Sequence, residues 1–72
     1  MVYVFLAEGF EEIEAVTVID VLRRSGTDVV SVGIGGKNIK GARGITVCAD
    51  TDDSSAALDD KLEMIYLPGG LK

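Results

Sequence analysis

Histidine is absent from the chain, and cysteine occurs once, as Cys48. Zinc sites draw their ligands chiefly from these two residue types, so no metal site is expected within this sequence. A lone cysteine cannot close an internal disulfide, which fits a reducing, cytoplasmic setting. Positive charge is scarce too: seven lysines and arginines stand against twelve aspartates and glutamates, a net charge of −5. Phosphate backbones demand an electropositive face, so no nucleic acid partner is expected. The one basic cluster, Lys37, Lys40 and Arg43, reads as a solvated hairpin. No apolar run approaches the ~20 residues that span a bilayer, so no membrane partner is expected. The start lacks a basic stretch followed by a small-residue cleavage site, so no secretory signal is read there. Tryptophan is missing and aromatics make up only 6% of the chain. Tyr3, Phe5, Phe10 and Tyr66 therefore read as core residues rather than a stacking platform. Asp52, Asp53, Asp59 and Asp60 lack calcium-loop spacing and read as solvated loop charges.

What is present is an ordinary globular composition, 47% hydrophobic and 26% charged. The 72 residues allow one small domain at most, and a chain of this size buries only roughly 60% of its unfolded surface. Residues 2–7 are apolar at consecutive positions, the pattern of a strand buried on both faces in a parallel sheet. Residues 11–24 predict a helix, with glutamates in its first turns and Arg23 and Arg24 in its last, each complementing the helix dipole. Ser25-Gly26 supplies the stop. Residues 27–34 form a second strand, so the three segments make a β-α-β unit with parallel strands.

Gly35-Gly36 and the Gly41–Gly44 turn bracket two short alternating segments, 37–40 and 45–49, which predict an antiparallel excursion at the sheet edge. Residues 50–55 read as a capping loop leading into a short helix around 56–60. Residues 62–67 read as the final strand. One long helix covers only one face of such a sheet, and the other face needs helices that this sequence does not hold. Either a partner supplies them or residues 1–72 are the amino-terminal portion of a larger single α/β domain, and the second is the expectation.

Three features carry chemistry. Glu14 shares a helical stripe with Val18 and Val21, extended by Ala15, Ile19 and Leu22, so it leans toward the buried side while Glu11 and Glu12 face water. A carboxyl in a partly apolar pocket favours its acid form and can serve as general acid or base. The competing reading is that Glu8, Glu11, Glu12 and Glu14 all merely decorate a helix amino terminus. Pro68-Gly69-Gly70 follows the last strand, where glycines can turn sharply and present backbone N–H groups to an oxyanion; an ordinary turn is the alternative. Cys48 lies in a strand among apolar and acidic neighbours, the setting of a passive core or interface thiol rather than an activated one.

Three segments together, Ala7-Glu8-Gly9-Phe10-Glu11-Glu12-Ile13-Glu14-Ala15, Ile45-Thr46-Val47-Cys48-Ala49-Asp50 and Leu67-Pro68-Gly69-Gly70, resemble the amino-terminal part of the ThiJ/PfpI superfamily. The branch they are most similar to is that of the Parkinson-disease-associated protein deglycase and its bacterial relatives. The resemblance covers essentially the whole sequence. It implies a flavodoxin-like three-layer α/β sandwich with a mainly parallel sheet, usually a homodimer, with no cofactor. It further implies that Glu14 matches an acidic residue that hydrogen-bonds a reactive cysteine and lowers that thiol's pKa. Gly69 and Gly70 match the turn whose amides line the oxyanion pocket. Cys48 matches a strand cysteine of some members and not the nucleophile. The nucleophile belongs on a strand-to-helix elbow downstream, so the chain holds half a site, and the remaining carboxyl-terminal part of the domain is its expected partner.

The activity implied is a cysteine-dependent hydrolase or lyase of the glyoxalase or deglycase kind, acting on small reactive carbonyls or their protein adducts. A non-catalytic redox-sensing or chaperone-like dimer is the alternative. Peptidase and thiazole-biosynthesis labels also occur in the superfamily, and these residues do not separate them.

Overall fold

The computed structural model describes residues 1–56 and 64–69. Strand β1 (Val2–Leu6) lies at its centre, and helix α1 (Glu12–Arg24) carries the chain across to β2 (Val29–Gly33). A ribbon of β3 (Asn38–Lys40) and β4 (Thr46–Cys48) follows, then β5 (Thr51–Asp52) and β6 (Met64–Tyr66). The main sheet has the order β5-β2-β1-β6, and every pairing in it is parallel. This is the flavodoxin-like α/β arrangement.

The register explains the core. Val2 faces Val29 across the β1–β2 ladder, and Val4 faces Tyr66 across β1–β6. Side chains alternate along a strand, so Val2, Val4 and Leu6 share one face with Val29 and Tyr66. Ala15, Ile19 and Leu22 of α1 pack on that face, together with Phe10, Ile39, Val47 and Ala49. The opposite face carries Tyr3, Phe5, Val30 and Val32; Tyr3 and Phe5 meet edge to face, their ring centres 6.1 Å apart. Tyr3, Val4 and Val32 are all buried, so the uninterrupted apolar run of β1 is matched by burial on both faces.

Helix α1 ends as its sequence directs. The Ser25 N–H donates to the Val21 carbonyl, and Gly26 closes the turn at φ +87°. Arg23, in the last turn, donates to the Val29 carbonyl at 3.0 Å and to Asp50 Oδ2 at 2.7 Å.

Two expectations need correction. The β3–β4 hairpin does not extend the edge of the main sheet but forms a two-stranded sheet of its own. Its buried Ile39 and half-buried Val47 turn it onto the core. Backbone bonds from Gly9 N–H to the Lys40 carbonyl and from Ala42 N–H to the Phe10 carbonyl stitch it to the β1–α1 connection. Residues 50–55 are also not simply a loop, because Thr51 and Asp52 pair with Val32 and Gly33. The reason is an exchange one step earlier: the Asp50 N–H donates to Ser31 Oγ and the Ser31 N–H to Asp50 Oδ2. Strand β2 is shorter than the expected 27–34 at both ends, and β6 stops at Tyr66, one residue before the expected end, while residues 62 and 63 lie outside the described residues. The short helix expected around 56–60 falls almost wholly outside the described residues.

Candidate active site

The strand order locates the site. From β1 the chain builds outward through β2 to β5, then returns to place β6 on the other side of β1. The switch therefore lies between β1 and β6, and open α/β sheets bind ligands outside the carboxyl ends of the strands at such a point. Two segments emerge there: the connection of residues 7–11 after β1, and Leu67-Pro68-Gly69 after β6.

Backbone and side chain join these segments. The Gly69 carbonyl accepts from the Glu11 N–H at 2.7 Å. The Gly69 N–H donates to Glu14 Oε1 at 2.9 Å. Glu11 is the N-cap residue of α1 and caps nothing with its own side chain; the helix start is completed from across the chain. Glu14 and Gly69, two of the expected site residues, are thus in direct contact. Gly70 lies outside the described residues.

The expected roles of the glutamates are reversed in one respect. Glu14 is exposed, whereas Glu12 is the buried one, only 6% accessible. Its Oε2 accepts from the Arg43 N–H at 2.7 Å and from the Ile45 N–H at 3.3 Å, across the β3–β4 turn. Gly41 lies directly over the carboxyl, where a Cβ would strike it. Burial pushes the Glu12 carboxyl up, but the backbone N–H groups of Glu12, Arg43 and Ile45 and the Arg43 charge outweigh it and hold it below the usual range. Its other oxygen, Oε1, is buried with no hydrogen-bond partner. The stripe that packs inward is Glu12, Ala15, Ile19 and Leu22, while Val21, expected inside, is 55% exposed. That alternative spacing, visible as every third or fourth position from 12, was the signal that could have found Glu12.

Cys48 sits opposite Asn38 in the ribbon and is exposed rather than in the core. Its thiol contacts the carbonyl of Ala49 at 3.7 Å. Lys37, Lys40 and Arg43 are all exposed. Among the described residues no group of three or more acidic or cysteine side chains could hold a metal ion, and no helix is long and apolar enough to cross a membrane.

Comparison with known proteins places this geometry among relatives. The profile of the DJ-1/PfpI family matches residues 1–72. Protein dj-1beta of Drosophila melanogaster is 42% identical over 69 residues, covering 94% of this chain and 36% of the relative. The Parkinson disease protein 7 homolog of Danio rerio is 38% identical over 69 residues, with coverages of 94% and 36%. Among solved structures, Drosophila melanogaster DJ-1beta superposes with a TM-score of 0.89 at 39% identity, over 97% of this chain and 38% of that one. Oxidized Toxoplasma gondii DJ-1 does so with a TM-score of 0.88 at 38% identity, again over 97% and 38%. The chain therefore spans about a third of the length of the relatives it matches.

Proposed function

Because this chain belongs to the DJ-1/PfpI family, we propose that it is the amino-terminal portion of a cysteine-dependent protein acting on small 2-oxoaldehydes or on their protein adducts. The observation that carries the reading is the direct bond between Glu14 and Gly69 at the topological switch. The nucleophilic cysteine would come from the remaining part of the domain, outside this chain. Its thiolate attacks the carbonyl carbon, a sulfur–carbon bond forms, and the carbonyl π pair moves onto oxygen. That oxygen takes a proton from Glu14, giving a hemithioacetal; with the Gly69 N–H engaged by Glu14, the amide of Gly70 is the one expected to serve the developing charge. The intact protein would work in the cytoplasm as a homodimer, in which the exposed Ile13 and Val16 of α1 would gain an apolar partner.

The test replaces Glu14 with Gln in the full-length protein. Turnover of methylglyoxal and the rate of thiol alkylation by iodoacetamide are then measured. A general acid–base role predicts a fall in kcat of at least about 100-fold. Unchanged turnover together with unchanged alkylation would sink the role assigned to Glu14. A second reading, a redox sensor whose cysteine oxidises to a sulfinate, is favoured by one observation, the oxidized state of the Toxoplasma gondii relative. Oxidation by peroxide, seen in the intact mass, without carbonyl turnover would select it.

A further inference from the structure

The geometry points to Gly69 as a positioning residue that decides which oxygen of Glu14 carries the proton. The inference rests on the reading of Glu14 as a proton shuttle. Both backbone groups of Gly69 are held by the start of α1: its carbonyl accepts from the Glu11 N–H, and its N–H donates to Glu14 Oε1. A carboxylic acid accepts a hydrogen bond better at its carbonyl oxygen than at its hydroxyl oxygen. With the Gly69 N–H on Oε1, the proton belongs on Oε2. Donation of that proton to the hemithioacetal oxygen leaves a carboxylate, and the Gly69 N–H then becomes a charge-assisted bond to Oε1. The Gly69 amide therefore serves Glu14, and the substrate oxyanion depends on other donors. A Cβ at position 69 would lie 3.1 Å from Oε1, so the carboxyl would have to give by a few tenths of an ångström and the bond to the Gly69 N–H would be strained.

A double-mutant cycle in the full-length protein tests this, with methylglyoxal as substrate. Gly69→Ala lowers kcat by about tenfold when Glu14 is present, with KM within about twofold, and by less than about twofold in a Glu14→Gln background. Equal losses in both backgrounds, or no loss in either, would overturn the role of Gly69 while leaving Glu14 as the shuttle. No loss on Glu14→Gln alone would instead overturn the shuttle itself. Where methylglyoxal is not turned over, the same cycle is read on the alkylation rate of the reactive thiol. A further measurement leaves Gly69 untouched, so it stands even if Gly69→Ala does not fold. Exchange of the Gly69 amide proton stays slow in Glu14→Gln, whose side chain still accepts, and accelerates at least about tenfold in Glu14→Ala. Equal exchange in the two variants would remove the contact on which the inference stands.

Discussion

Glu12 and Glu14 lie two positions apart in the first turn of α1, and two positions amount to about 200° of rotation around a helix. Only one of them can face the core. The apolar stripe through Val18 and Val21 favours Glu14, and the stripe through Ala15, Ile19 and Leu22 favours Glu12. Hydrophobic pattern alone does not choose between them, because what draws Glu12 inward is a pair of backbone N–H groups from Arg43 and Ile45. Those donors are remote in sequence and carry no residue-type signature. Glycine at 41 was the accompanying trace, legible only once the turn is known to sit against the helix. Gly41→Ala should cost about 1–3 kcal/mol through overpacking against the Glu12 carboxyl, read as a fall in the denaturant midpoint of the full-length protein. An unchanged midpoint would mean that the carboxyl can move aside freely.

Elements with a strong repeating pattern were legible in the sequence: β1, α1, β2 and the two arms of the hairpin all lie where apolar runs and glycine punctuation predict them. The short polar β5 was not, since Thr51 and Asp52 offer no apolar alternation and their pairing depends on the reciprocal bonds between Ser31 and Asp50. The Asp50 carboxyl is held below the usual range, first by the Ser31 N–H and then, against some desolvation, by the Ser31 hydroxyl and Arg23. A lowered value means that the unfolded chain binds the proton more readily. The stabilisation is therefore complete above the ordinary value of 3.8 and is lost as pH falls below it. Asp50 and Arg23 are each about half exposed, 47% and 49%, so screening limits the ion pair to roughly 0.5 kcal/mol. Asp50→Asn should flatten the acid limb of the stability profile and lower the neutral plateau by the same amount, about 1 kcal/mol, because the charge-assisted bonds to Ser31 are lost along with the ion pair. An acid limb as steep as in the parent would place the titration elsewhere.

For the molecule as a whole, parallel strands and β-α-β connectivity followed from the sequence, but the strand order did not. Nothing local in Met64–Tyr66 specifies that it pairs with β1 rather than extending the sheet beyond β5. The partnership is written in the central strand, which is apolar on both faces and takes a neighbour on each side. Leu6 is 1% accessible and belongs to the cluster that unites α1, the ribbon and the sheet. Leu6→Ala is expected to lower stability by about 2–5 kcal/mol, measured by equilibrium unfolding of the full-length protein. A loss below about 1 kcal/mol would show that the surroundings collapse into the space. The clasp between Glu14 and Gly69 spans 55 positions, and this sets an order of events during synthesis. At ~5–20 residues per second, roughly 3–11 s separate the emergence of the helix from that of its partner. Through that interval the nascent α1 can settle on β1 and β2 with its first turn still open. The Glu14 side chain thus acquires its final orientation only when the ribosome has delivered Gly69, so this contact is among the last of the described structure to close.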